Sequence, residues 1–272
     1  MSYWRQSVRN YLLSLQFFTR IPVTGRLADW VGFSPAMLRA SAGHLPGVGW
    51  LVGGLVAAFT ALLLVGLPVG GFSPLVVAVW GTAFGVLLTG AFHEDGLADV
   101  FDGLGGSLDR DRALIIMKDS RVGAFGVIAL GLALLAKVSL LALLGSVSAT
   151  LLCSALFLAH VVSRTWPLLL IRLMPHVGDV VSSKSKPLAD QISLASLGTA
   201  LRWFLLALVL VGYLQWTPYL IAFGVALLLS WLAFLLMWRW FWRRLQGFTG
   251  DCLGATQQVS ELAFYLGLAL AL

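Results

Sequence analysis

Twelve acidic residues serve a chain of 272, and seven of them lie between positions 94 and 119: Glu94, Asp95, Asp99, Asp102, Asp109, Asp111 and Asp119. Within FHEDGLADVFDG, Phe92 to Gly103, the residues Asp95, Asp99 and Asp102 follow an i, i+4, i+7 spacing. On a helix this spacing brings three carboxylates to one face. Three like charges held so close repel each other unless a cation neutralises them. Hard carboxylate oxygens suit Mg²⁺, Mn²⁺ or Ca²⁺, and Mg²⁺ commonly shares its sphere with water and substrate phosphates. The cluster therefore points to phosphoryl or pyrophosphate chemistry. The competing reading is a solvated acidic helix end. His93 adjoins the cluster as a base, a ligand or a structural histidine. Glu94 adjoins it as a further carboxylate.

Cations accompany the acids. The stretch KDSR places Lys118, Asp119, Ser120 and Arg121 just before an apolar segment. Arg grips phosphate through a planar fork and Lys acts as a point charge. A phosphate contact is favoured here over simple anchoring at the membrane surface. The run Asp109-Arg110-Asp111-Arg112 reads instead as a solvated capping turn. Lys137 and Arg164 sit inside apolar segments, where a charge needs a partner or a function. In GFTGDCLGATQQVSEL, Gly247 to Leu262, glycines around Thr249 and Asp251 open a helix. A helix start binds anions, and Asp251 could equally cap it. Glu261 falls inside the last apolar segment and asks for a partner.

These residues need elements to hold them, and composition says where the elements sit. The chain is 59% hydrophobic and 11% charged, against roughly 25% charged in soluble domains. It lacks the polar surface to dissolve alone, so lipid must solvate much of it. Eleven Trp suit a membrane interface. The net charge of +6 has no basic run behind it and does not suggest nucleic acid. Cys153 and Cys252 are too few for a disulfide framework or a zinc site. The N-terminus lacks the pattern of a signal peptide.

A span needs roughly 20 apolar residues in helix. Seven segments qualify: 45–67, 75–93, 123–145, 149–172, 201–215, 218–238 and 254–272. Residues 10–22 are too short to span and read as an interfacial or re-entrant helix. The expected fold is an all-α polytopic transmembrane bundle of about seven spans, a single domain over 1–272 without repeats. Gly47, Gly49, Gly53 and Gly54 read as close helix packing. Residues 176–198 read as a loop. The connections near 68–74, 146–148 and 216–217 carry no Lys or Arg, while the others carry nearly all of them. The positive-inside rule puts the charged loops, and the acidic cluster with them, in the cytoplasm.

Taken together, FTRIPV (18–23), LPGVG (45–49), FHEDGLADVFDG (92–103), RDRALIIMKDSRVGAFG (110–126), the Ser163-Arg164 pair and GFTGDCLGA (247–255) resemble the cobalamin synthase family. That family is also called adenosylcobinamide-GDP ribazoletransferase. The resemblance covers nearly the whole chain. It implies a multi-pass enzyme of the bacterial inner membrane that depends on Mg²⁺. Such an enzyme joins adenosylcobinamide-GDP to α-ribazole or its 5′-phosphate and releases GMP. By matching position, Glu94, Asp95, Asp99, Asp102 and Asp251 become metal ligands. Arg20, Lys118, Ser120, Arg121, Lys137, Arg164, Thr249 and Asp251 become substrate contacts. His93, Asp119 or one of Asp95, Asp99 and Asp102 becomes the base. A homo-oligomer, or association with other corrinoid enzymes, fits the same picture. The loop 176–196 matches only loosely. Gln258 stands where some members carry an acid, which puts a catalytic carboxylate there in doubt.

Two rivals remain at this stage. Asp99-x-x-Asp102-Gly103 also opens the motif of CDP-alcohol phosphotransferases, but Gly106-Ser107 stand where that motif continues with Ala-Arg. A divalent-cation transporter would also use intramembrane charges. Its expected internal repeat is missing from the sequence.

Overall fold

The computed structural model describes residues 3–178, 192–215 and 219–272. Most of the expected loop 176–198, with Lys184 and Lys186, lies outside these residues, as does the connection 216–217. The described residues are helical, with no strand. A single parallel bridge joins His176 to Phe248.

The helix α1 (Tyr3–Phe18) buries Leu13, Ser14, Leu15 and Phe18 and exposes Trp4 and Val8. It is amphipathic, as an interfacial helix should be. The short α2 (Gly25–Val31) and α3 (Pro35–Ser41) follow, and a 3₁₀ turn, Ala42–His44, leads into α4 (Leu45–Gly66). Next come α5 (Ser73–Thr89), α6 (Phe92–Gly106), α7 (Arg110–Ile116), α8 (Ala124–Val147) and α9 (Ala149–Leu173). The chain closes with α10 (Leu194–Leu214), α11 (Leu220–Leu245) and α12 (Gly250–Leu270). Starts are set by short polar side chains. Ser34, Ser148, Ser193 and Thr249 each accept from a backbone N–H in the first turn of the helix they open.

Among the described residues, five helices are long and apolar enough to cross a membrane: Pro35–Gly66, Ala124–Val147, Ala149–Leu173, Leu194–Leu214 and Leu220–Leu245. The pair α5 and α6 makes a sixth if counted as one broken span. The segment expected at 254–272 is helical but does not qualify. Thr256, Gln257, Gln258, Ser260 and Glu261 lower its apolarity and point into the bundle, where all five are buried. The outer faces are apolar. On α8, Val127, Ile128, Leu132 and Leu135 are exposed, a surface that lipid solvates and water does not.

Glycines set the closest contacts. A Cβ on Gly53 would stand 2.9 Å from the carbonyl of Phe157, and one on Gly49 would collide with the carbonyl of His160. Gly47 lies against the Trp203 ring, whereas Gly54 faces open space. Three of the four glycines therefore serve packing, two of them between α4 and α9. Polar α12 lies at the centre, against α6, α8, α9 and α11.

Candidate active site

Helix α6 carries the acidic stretch, and a sharp bend aims it. Gly90 and Ala91 both take left-handed backbone, with φ of 66° and 59°. The axis turns 90° between α5 and α6. Such backbone is uncommon for a residue with a side chain. Arg20 braces the bend: its N–H donates to the Leu88 carbonyl at 2.7 Å, and its side chain lies against Gly90.

Beyond the bend, α6 crosses α12 at glycines. A Cβ on Gly96 would stand 2.8 Å from the Asp251 carbonyl, and one on Gly254 would stand 3.2 Å from that of His93. Because neither exists, the two backbones touch. Asp95 and Asp99 of α6 thus come beside Asp251 in the first turn of α12. Asp251 and Asp95 are the charges that bear most on Asp99. Thr249 caps α12 through its hydroxyl, which also donates to Asp251 at 3.2 Å. The capping role open to Asp251 is thus filled by Thr249. A short ladder holds this start in place: Val177 N–H donates to the Phe248 carbonyl at 2.9 Å and Phe248 N–H to that of Pro175 at 3.0 Å.

Asp102 points elsewhere. It accepts from Gly123 N–H at 2.7 Å and Gly126 N–H at 2.8 Å. Both of its oxygens therefore cap α8, whose own cap residue is a glycine. An anion at a helix start is well placed for that. Glu94 is buried and accepts from Gln258 at 3.0 Å, while its second oxygen has no partner. Among the described residues, no three His, Cys, Asp or Glu side chains form a ready metal cage. The remaining acids fit a different style of binding. Mg²⁺ is usually held by one or two carboxylates, with waters and substrate phosphates completing its sphere. Asp95 is exposed, while Asp99 and Asp251 are half-buried.

The expected phosphate contacts divide into two groups. Arg20, Lys118, Ser120 and Arg121 are exposed. Arg121 grips Asp119 with a 2.6 Å contact. Its hydrogen bonds hold the Asp119 carboxyl at about 2, well below the usual carboxylate range. A group that acidic is a poor general base near neutral pH. Lys137 and Arg164 lie deep in the bundle, far less accessible than the exposed four. Lys137 is paired with Glu261 at 2.7 Å, so the intramembrane carboxylate finds its partner there. Arg164 donates to the His160 ring and carbonyl, and its Nε is unpartnered.

A buried polar network spreads from this pair. Gln257 donates to Glu261 at 2.8 Å and to Ser163 at 2.9 Å. Gln258 donates to Gln257 at 2.9 Å as well as to Glu94. The Tyr265 hydroxyl donates to Glu261 at 3.0 Å. Gln257, Tyr265 and His160 were not anticipated, although the polar run inside an apolar helix was the signal for the glutamines. His93 is buried at the near edge of this network. It lines a narrow crevice with Phe17, Phe18, Phe92, Leu168 and Leu253.

Comparison with known proteins follows the same residues. A family model described as cobalamin-5-phosphate synthase matches residues 10–269. A protein of Albidiferax ferrireducens named adenosylcobinamide-GDP ribazoletransferase is 71% identical over 98% of this chain and 99% of its own length. One of the same name from Polaromonas naphthalenivorans is 61% identical over 98% and 99%. Another, from Vibrio cholerae, is 40% identical over 96% and 94%. No solved structure matches.

Proposed function

The chain belongs to the cobalamin-5-phosphate synthase family, and from that premise we propose that it is an adenosylcobinamide-GDP ribazoletransferase of the late corrinoid pathway. The observation that carries the reading is the approach of Asp95 and Asp99 to Asp251 where α6 crosses α12. This is an acidic surface for a cation, and exposed Lys118 and Arg121 are the cations assigned to phosphate.

The reaction needs one bond made and one broken. A ribazole hydroxyl oxygen bonds to the phosphorus attached to the corrinoid side chain. The bond from that phosphorus to the bridging oxygen breaks, and GMP leaves with the electron pair. In this reading Asp95, Asp99 and Asp251 would hold Mg²⁺, which would supply charge neutralisation for the pyrophosphate and the leaving phosphate. Lys118, Arg121 and Arg20 orient the phosphates from the exposed side. The hydroxyl proton passes to one of His93, Asp95 and Asp99, since Asp119 is tied to Arg121 and Asp102 to α8. Lys137 acts from within by fixing Glu261, and Arg164 by holding His160. The site faces the cytoplasm, on the side rich in Lys and Arg. Neither a phospholipid-forming transferase nor an ion transporter finds support in a family match of this length.

The test uses protein purified in detergent or lipid, given adenosylcobinamide-GDP, α-ribazole 5′-phosphate and Mg²⁺. GMP and the corrinoid product should form together. Both should vanish on chelation and fall on the order of a hundredfold with Asp99→Asn. GMP release that survives both treatments would sink the metal-centred reading, and no product at all would sink the reaction.

A further inference from the structure

Two arginines outside the assigned site reach across the molecule to the ends of helices. Arg244, in the last turn of α11, donates through Nη1 to the Leu104 carbonyl at 3.1 Å and through Nη2 to the Ser107 carbonyl. Leu104 lies in the last turn of α6, and Ser107 caps that helix. Arg110, the first residue of α7, donates through Nε to the carbonyl of Leu245, the last residue of α11, at 2.8 Å. The final carbonyls of a helix have no partner within it, and a cation there also meets the negative end of the dipole. The end of α6 is thus bound to the end of α11, and the end of α11 to the start of α7. One turn back, the Phe101 and Trp240 rings meet edge to face at 5.5 Å.

This clasp lies on the same two stretches of chain as the acids. Beyond Leu245 the chain turns through left-handed Gln246, with φ of 51°, into Thr249 and α12. The two stretches are therefore joined twice, once where Gly96 meets the backbone of α12 and once at the clasp. Asp99 lies between Gly96 and Leu104 on α6. Asp251 lies between Leu245 and Gly254 on the other stretch. A helix held at one point pivots about it, and a helix held at two does not. Gly96 and Leu104 are roughly 12 Å apart at 1.5 Å per residue, a long arm for such a restraint.

We infer that Arg244 and Arg110 are positioning residues for the acids: they fix the angle of α6 on α12, and with it the separation of Asp99 from Asp251. The inference rests on the reading of these acids as a divalent-cation site. Mg²⁺ demands near-ideal geometry at about 2.0–2.1 Å, so a pivot that parts the two carboxylates lowers affinity although both remain. The sign of the effect separates positioning from charge. Loss of a cation near an acidic site should, by charge alone, tighten cation binding. Loss of the clasp should weaken it.

The experiment titrates Mn²⁺, standing in for Mg²⁺, into the whole chain in phosphatidylcholine nanodiscs without substrate, and follows free Mn²⁺ by electron paramagnetic resonance. The wild type should bind Mn²⁺ at a site lost in Asp99→Asn. Arg244→Gln should weaken that binding about tenfold or more, the range seen when a group supporting a metal ligand is lost. Arg244→Lys should recover part of the loss, since an ammonium still donates to one of the two carbonyls. Arg243→Gln, at the exposed neighbouring position, removes the same charge and should bind like the wild type or more tightly. Arg110→Gln should weaken binding less than Arg244→Gln, because it releases one carbonyl where Arg244 releases two. An Arg244→Gln protein that binds as tightly as Arg243→Gln overturns the inference and leaves the cation site standing. Wild-type binding that is absent, or that survives Asp99→Asn, overturns the cation site and the role of the clasp with it. Thermal melting accompanies each variant. If Arg244→Gln does not fold, Arg110→Gln decides by the same comparison with Arg243→Gln.

Discussion

Gln258 of α12 donates to Glu94 of α6 at 3.0 Å, and both side chains are buried. That bond ties the first turn of the acidic helix to the Gln257–Glu261–Lys137 chain. One residue on from Glu94 is Asp95. Gln258→Leu should leave both Glu94 oxygens unpartnered, at a cost of about 1–3 kcal/mol. Beyond stability, it should raise the Mg²⁺ concentration needed for half-maximal rate, because α6 loses its register. A variant with a lower melting temperature but an unchanged Mg²⁺ requirement would reduce Gln258 to a structural role. Glu94→Gln should restore the melting temperature only in part.

Among the described residues, Lys137 and Glu261 form a buried ion pair at 2.7 Å. Removing one partner of a buried pair strands the other and typically costs about 3–5 kcal/mol, whereas replacing both can be neutral. Lys137→Met should therefore destabilise the detergent-purified protein severely. Lys137→Met combined with Glu261→Gln should recover much of the loss, since Gln still accepts from Tyr265. Thermal melting of the single and double variants decides this. A double variant no better than the single would mean that Lys137 holds something other than Glu261.

The lipid-solvated class and the acidic helix were legible from the sequence because composition and short spacing are local properties. What depends on distant packing was less so. Asp95, Asp99 and Asp102 share a face by spacing, yet the start of α8 captures Asp102 through Gly123 and Gly126. Asp251 was a candidate ligand, but its meeting with Asp99 follows from the Gly96 and Gly254 crossing, which no local pattern encodes. Lys137 and Glu261 each asked for a partner. Their pairing required the register of α8 on α12. The expectation of a seventh apolar span failed because a helix at the centre of a bundle can carry a polar stripe that lipid never meets.

Asp102 and Asp99 should separate cleanly on substitution. Asp102→Ala removes the side-chain acceptors of two backbone N–H groups at the start of α8, and a lost cap costs about 0.5–2 kcal/mol. Its melting temperature should fall. Asp99→Asn should keep the wild-type melting temperature and lose turnover. If Asp102→Ala melts like the wild type but is as inactive as Asp99→Asn, Asp102 is a ligand and its capping is incidental.

Asp119 should behave as a partner of Arg121 and not as the base. Its carboxyl, at about 2, stays ionised at every pH above about 3. It therefore contributes no inflection to a rate profile near neutrality. Asp119→Asn should shift no limb of that profile and should lower turnover only a few-fold, as expected for an exposed ion pair. A neutral-pH limb that disappears in Asp119→Asn would restore it as the base.

The glycine crossing offers a graded test of how the acids are brought together. A Cβ on Gly96 meets the Asp251 carbonyl at 2.8 Å, and one on Gly254 meets that of His93 at 3.2 Å, while Gly54 has nothing within 4 Å. The first distance is a collision between two backbones, so α6 and α12 must part. Overpacking of this kind costs about 1–3 kcal/mol. The second is a tight contact that a shift of a few tenths of an ångström relieves. Activity should fall in the order Gly96→Ala, then Gly254→Ala, with Gly54→Ala unchanged. Because the separation weakens a shared cation site, excess Mg²⁺ should rescue Gly96→Ala partly and leave Asp99→Asn inactive. Equal activity for Gly96→Ala and Gly54→Ala would show that the meeting of Asp95 and Asp99 with Asp251 is not what the reaction uses.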